Sequence, residues 1–222
     1  MTAALETAKS SWRGGAGGET LAEEEANHRT LALAVHRREE AAFEELVVTY
    51  ERGLLDYARR LLGDVEDAQE VVQDAFVRAH RALTRQYDEP RLRDLLLRPW
   101  LFRITRNLAR NKRRGKRWQV EEPLEPIKET GGAPATLAAS APLAEAEVEK
   151  RQELERLERA LETLPEESRE LVVLRFFEEM PYAEIAIALG ASEAALRGRV
   201  FRALRLLRAA LDPDHRTSGD QT

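Results

Sequence analysis

The sequence predicts an all-α protein built as two small helical domains joined by a flexible linker, and three observations carry that prediction. Leucine and alanine are frequent while β-branched runs are scarce, which favours helix over strand. Apolar residues recur at three- and four-residue steps through most of the chain, the pattern that collects them on one helix face. That period lapses across residues 119–146, which begin QVEEPLEPIKETGGAPATLAAS, a Pro-, Gly- and Ala-containing linker that is acidic in its first half. The predicted divisions are a disordered tail over 1–28, a first domain over 29–118, the linker over 119–146, a second domain over 147–211 and a tail over 212–222.

Composition narrows the function classes. The 222 residues have room for one large or two small domains, and 43% hydrophobic content is ordinary for a globular chain. Cysteine is absent and the four histidines are scattered, so no disulfide, thiolate metal site or cofactor is expected. Carboxylates fall at helix-face steps that suit ion pairing, which gives no reason to expect an enzyme. No apolar run reaches the roughly 18–20 residues a bilayer span needs, and the N-terminus lacks the apolar core of a signal peptide, so membrane insertion is not expected and a cytoplasmic location is.

The charge is sorted into blocks. Lys and Arg against Asp and Glu number 6 to 15 over residues 19–75, 14 to 3 over 78–118, and 6 to 14 over 121–170, within a chain of net charge −5. Such segregation points to one surface for a polyanion and others for protein.

In chain order, apolar positions from Leu33 through Phe43, Leu46, Val47, Tyr50, Leu54, Leu55, Ala58 and Leu62 predict amphipathic helix over about 31–62. Gly63-Asp64 reads as a C-cap followed by a new N-cap, with Asp67 in a capping-box-like position. The next helix, about 65–84, has Ala68, Val71, Val72, Ala75, Phe76, Ala79 and Leu83 on its core face. Its other face carries Asp67, Gln69, Glu70, Gln73, Asp74, Arg78 and Arg81, which on its own reads as a solvated polar face sooner than as a docking surface. Asp88-Glu89-Pro90 and Pro99 bound a loop with room for a short helical insert.

The segment RPWLFRITRNLARNKRRGKRW, residues 98–118, contains nine basic residues, no acidic one, and interleaved aromatics. Basic side chains supply phosphate affinity and aromatics stack on unpaired bases, so nucleic acid is the expected ligand. The predicted helix over about 100–114 turns Trp100, Ile104 and Leu108 one way and Arg103, Arg106, Asn107, Arg110 and Arg114 outward. Beyond the linker, helices are predicted over 147–163 and 166–178. Ala186, Gly190 and Leu196 then take the small, left-handed and large apolar positions of a helix-turn-helix. Ser192 is the natural N-cap of the second helix. Leu196, Val200, Ala203, Leu204 and Leu207 would face inward, leaving Glu193, Ala194, Arg197, Arg202 and Arg205 outward and Arg199 at the flank.

LPEESRELVVLRFFEEMPYAEIAIALGASEAALRGRVFRALRLL resembles the promoter-binding region 4 domain of bacterial sigma factors. FEELVVTYERGLLDYARRLLGDVEDAQEVVQDAFVRAHRAL with PWLFRITRNLARNKRRGKRW resembles their region 2 helical bundle. Two such domains and a short linker are typical of the extracytoplasmic-function (ECF) group. The resemblance implies that Asp67, Glu70, Gln73 and Asp74 contact core RNA polymerase, and that the loop 84–98 captures a flipped base. It implies that Trp100, Arg103, Arg106, Asn107, Arg110, Lys112, Arg113 and Arg114 hold the melted −10 strand of promoter DNA. It also implies that Ser192, Glu193, Ala194, Arg197, Arg199 and Arg202 meet the −35 element, that the acidic linker threads the polymerase, and that an anti-sigma factor is a possible partner. The chain departs from the family in Glu193-Ala194-Ala195, Arg197-Gly198 and the leucine run 95–97. A sigma-like mimic that sequesters an anti-sigma factor without binding DNA is the alternative, although such a decoy is expected to lose the basic face kept here. An ordinary helix-turn-helix repressor would leave the first 118 residues unused.

Overall fold

A computed structural model describes residues 21–121 and 145–211, with side chains at 29–115 and 152–211. The linker and both tails otherwise lie outside the described residues. Helices are α1 (Leu21–His36), α2 (Ala42–Leu62), α3 (Val65–Arg85), α4 (Glu89–Arg93), α5 (Leu97–Glu121), α6 (Glu145–Glu162), α7 (Glu166–Val172), α8 (Tyr182–Leu189) and α9 (Glu193–Leu211), with a π-helical turn at Val173–Phe177. Among the described residues there is no strand, and no helix is long and apolar enough to cross a membrane.

The span 31–62, read as one amphipathic stretch, is two helices. The chain turns at 37–41, where Arg38 and Ala41 take positive φ of 58° and 62°. Neither is a glycine, so nothing in the local composition marks this break; α1 turns because it packs across α3 and α4 as well as α2. Helix α1 also reaches back to Leu21, into the stretch assigned to the tail.

The α2–α3 corner follows its local signals. Gly63, at φ 74°, donates its N–H to the Arg59 carbonyl, and Asp64 accepts the Asp67 N–H at 2.8 Å. In α5, Pro99 occupies the first turn, where a missing N–H breaks no helical bond. Helix α5 buries Leu101, Phe102, Thr105, Leu108 and Ala109. The inward face is therefore rotated from the expected Trp100–Ile104–Leu108 line, with Trp100 and Ile104 only partly covered.

The two domains share a core. Leu171, Val173, Leu174, Met180, Ile185, Ala188, Leu196 and Val200 of the second domain belong to the same buried cluster as Leu46, Leu54, Tyr57, Leu97 and Phe102 of the first. A smaller cluster, Leu157, Ala160, Leu161, Leu164, Val172, Ala203 and Leu207, ties α6, α7 and α9 within the second domain. The π turn brings consecutive Val173 and Leu174 into the shared core and ends at Glu178, whose N–H reaches the Val173 carbonyl at 3.1 Å.

Helices α8 and α9 form the expected helix-turn-helix. Gly190 supplies the left-handed turn at φ 66°, and Leu196 is fully buried. A Cβ at Gly190 would meet nothing within 4 Å. Gly190→Ala is therefore expected to cost about 1–2 kcal/mol from backbone conformation alone, read as a lower urea midpoint with unchanged helix content.

Candidate nucleic-acid interface

Helix α5 lies between the domains, packed on α2 and α3 on one side and on α8 on the other. Its cations consequently divide into three environments. Arg103, Asn107 and Arg114 are exposed. Trp100 is half-buried with its ring 5.8 Å from that of Tyr87, and Arg91 sits 3.9 Å over the other aromatic's ring centre, Tyr87. This Trp100–Tyr87–Arg91 group joins the start of α5 to the loop before it and offers a planar, cationic edge suited to a base.

Arg106 and Arg110 are not turned to open solvent as expected. Arg106 Nε donates to Glu170 Oε2 at 2.8 Å, while Arg110 donates to Oε1 at 2.7 Å and to Oε2 at 3.2 Å. Glu166 lies 3.4 Å from Arg110 and 3.7 Å from Arg113. Glu170 is 1% exposed, so its carboxylate has exchanged water for two guanidinium forks. Burial lowers the Arg110 pKa, but the hydrogen bond and charge of Glu170 outweigh it and leave the group raised.

Lys112 faces the other way. Its ammonium pairs with Glu70 and lies 3.4 Å from Asp67, joining α5 to α3. The Glu70 hydrogen bond is the leading cause of its raised pKa. Two residues read as polymerase contacts and one read as a DNA contact thus form one cluster. Gln73 and Asp74 remain exposed, and Gln73 lines a groove of about 700 Å³ between α2 and α3 with Phe43, Val47, Val72, Phe76 and Val77. Val48 and Val77 are exposed large aliphatics, at 73% and 58%. Sequence periodicity did not reveal this groove, because its apolar residues lie at the margins of two helix faces.

On α9, Ser192 Oγ accepts the Ala195 N–H at 3.4 Å. Arg197 pairs with Glu193 at 3.1 Å, one turn away, and its guanidinium lies 5.3 Å from the Tyr182 ring. Ala194, Arg202, Arg205 and Arg208 are exposed, and Arg199 pairs with Glu167 at 3.2 Å. Phe201 is 65% exposed on the same helix. Between the domains, Arg110, Arg113, Arg114, Arg199 and Arg202 line a cleft of about 590 Å³ together with Glu166 and Glu167. Glu166 and Glu170 were missed as site residues; the signal available was the acidic block facing a basic block in the charge count.

Glu178 is the other notable seam carboxyl. The residue keeps some exposure along its length, but its Oε2 lies where a Cβ on Gly53 of α2 would stand 3.1 Å away. Burial raises its pKa to about 7, against the partly compensating charges of Arg98 and Arg60. Between about pH 4.5 and 7 the folded chain holds a proton that the unfolded chain has released. Stability therefore falls as pH rises through that window. Glu178→Gln is expected to stabilise the chain above pH 7 by on the order of 1–3 kcal/mol, with the gain shrinking below about pH 5. Urea unfolding of both chains across that pH range checks it; a pH-independent difference contradicts it.

Residues 46–119 match the family described as Sigma-70 region 2, and residues 154–207 match Sigma-70, region 4. The chain is 37% identical over 181 residues to the RNA polymerase sigma factor NccH of Alcaligenes xylosoxydans xylosoxydans, covering 82% of this chain and 92% of that protein. It is 32% identical over 198 residues to the ECF RNA polymerase sigma-E factor of Escherichia coli strain K12, covering 86% and 97%. Among solved structures it is similar to CnrH in complex with the cytosolic domain of CnrY, with a TM-score of 0.60 and 30% identity over 84% of this chain and 98% of the other. The fold is also that of RpoE in complex with the anti-sigma factor NepR from Bartonella quintana, with a TM-score of 0.54 and 22% identity over 78% and 99%. With two domains matched in order and relatives spanned almost end to end, this chain belongs to the ECF group of the sigma-70 family of RNA polymerase sigma factors.

Proposed function

We propose that this sigma factor divides its work between two surfaces of the first domain and one of the second, with no catalytic step of its own and a cytoplasmic site of action. Residues 29–118 dock on core polymerase and hold the −10 strand, residues 147–211 meet the −35 element, and residues 119–146 connect them. Gln73 and Asp74, beside the α2–α3 groove, form the polymerase contact. Asp67 and Glu70 support it from the flank while restraining Lys112. Trp100 with the exposed Arg103, Asn107 and Arg114 receives the strand, and Arg106, Arg110 and Arg113 add phosphate contacts when their carboxylate partners are displaced. Arg197, Arg199 and Arg202 face the −35 duplex, with Ala194 offering a methyl contact and Ser192 and Glu193 framing the helix start.

The observation that supports this division best is the juxtaposition on adjacent helices of an apolar-floored groove beside Gln73 and a guanidinium face on α5. A protein helix suits the first and a polyanion the second. A decoy without DNA binding would have no use for the second. An anti-sigma factor is a further partner of this reading, by analogy with the complexes of CnrH and RpoE.

Runoff transcription with purified core polymerase tests the reading: the chain is expected to direct start-site-specific product from a matching promoter. Tight duplex binding without polymerase, together with no runoff product, would reject it. Gln73→Ala is expected to weaken core binding about three- to tenfold, the range for one lost hydrogen bond, as measured by fluorescence titration of the labelled chain with core. Arg106→Ala with Arg110→Ala is expected to leave core binding within about twofold and reduce promoter opening at least about tenfold. Permanganate reactivity of promoter thymines reports the opening, and an unaltered pattern removes these arginines from the strand site.

A further inference from the structure

Helix α1 lies ahead of the residues matched to region 2, outside both the groove beside Gln73 and the guanidinium face of α5. It reaches the segment between α3 and α5 by apolar and polar contact. Leu31, Ala32 and Val35 are buried in the same cluster as Leu92 of α4, and α1 packs on α4 as well as on α2 and α3. Two polar contacts carry that packing to the end of α1. Arg37 Nε donates to Glu89 Oε1 at 3.1 Å, and His36 Nδ1 donates to the Leu83 carbonyl at 2.8 Å.

Both contacts act on the Trp100–Tyr87–Arg91 group. At the end of α3, Gln86 and Tyr87 both donate to the Ala82 carbonyl at 3.1 Å, so the Tyr87 N–H goes one residue past Leu83, its regular helical partner. His36 supplies a donor to the Leu83 carbonyl and thereby holds the turn from which Tyr87 projects. Glu89 opens α4 beside its N-cap Asp88, and takes Arg37 on one oxygen and Arg93 on the other at 3.3 Å. The Arg37 hydrogen bond is the leading cause that holds the Glu89 carboxyl below its usual range. In the same short helix Arg91 stands 3.9 Å over the Tyr87 ring centre, and the Tyr87 ring lies 5.8 Å from that of Trp100. Among the described residues the Arg91 guanidinium makes no ion pair, so its donors are open to a ligand.

We propose that α1 is a positioning element for base recognition, with His36 and Arg37 fixing Tyr87 and Arg91 against Trp100 so that the edge offered to an unpaired base is formed before the strand arrives. A base stacks on an aromatic or guanidinium plane most tightly when the plane is already set, because ordering it at the moment of binding subtracts from the affinity. Arg37 and Glu89 are 50% and 36% exposed, the class of ion pair that shifts an equilibrium only a few-fold. Such a shift falls here on one base and not on the whole interface, which makes it a change in selectivity. His36 and Arg37 touch neither strand nor polymerase in this arrangement, which rests on the reading that Trp100 receives the strand.

The test uses the full chain assembled with core polymerase. A single-stranded oligonucleotide pool with a randomised centre is retained on this complex and sequenced, which gives the base preference position by position. Trp100→Ala identifies the position that Trp100 governs. Arg37→Ala and Glu89→Ala are each expected to reduce the preference at that position about two- to fivefold, with core affinity and the preferences at other positions within about twofold of the parent chain. The double variant is expected to lose no more than the weaker of the two, since both remove one contact. Arg37→Lys keeps the charge and is expected to retain at least about half of the preference. Melting followed by circular dichroism verifies that each variant keeps the fold. If Trp100→Ala alters no position, the strand reading itself fails. If it does alter one while Arg37→Ala and Glu89→Ala leave that position untouched, the positioning role is overturned. A loss spread evenly over all positions, or accompanied by an equal loss of core affinity, marks a merely structural contact and overturns it as well.

Discussion

The charge pair between Glu170 and the two arginines of α5 is the constraint on which the arrangement of the two domains depends. A carboxylate among Leu171, Val172 and Val173 is expensive to desolvate, and only close, well-directed partners offset that cost. Removing one partner of such a pair typically costs about 3–5 kcal/mol, because the other charge remains buried. The pair is thus weak evidence for great stability but strong evidence for a defined register. It fixes which turn of α5 faces which turn of α7, and the π turn, Glu178 and α8 then follow along the same seam. Gly53 belongs to this logic. A glycine inside α2 costs about 1 kcal/mol of helix propensity, and its position against Glu178 and Phe102 shows what the missing side chain permits.

Much of the fold was legible because its signals are local. Asp64 and Gly63 mark a helix boundary through their own hydrogen bonds and φ, and Gly190 with Leu196 marks the helix-turn-helix in the same way. The α1–α2 break was not legible, since Arg38 and Ala41 are driven into left-handed conformations by packing elsewhere. The inward face of α5 was read one position off its true line because α5 is covered on two sides, and a two-sided helix has no single apolar stripe to read. Thr105 shows the consequence: a fully buried hydroxyl satisfied by the Leu101 carbonyl sits where periodicity anticipates a polar edge.

The candidate site was legible in kind but not in pairing. Nine cations without an acid announce a polyanion surface, whatever the fold. That Arg106, Arg110 and Arg113 among them meet Glu166 and Glu170 depends on two segments more than 50 residues apart, which no local pattern encodes. Lys112 makes the same point on a smaller scale. Its place in a basic run argued for DNA, while its ammonium in the folded chain belongs to Asp67 and Glu70. A cation's neighbours in sequence report its charge density, and its neighbours in space report its availability.

Availability is what ties the surfaces together. A chain that carries both a basic face and an acidic one, joined covalently, presents each to the other at an effective concentration on the order of millimolar. An anion in solution below that concentration competes poorly with Glu170 for Arg106 and Arg110.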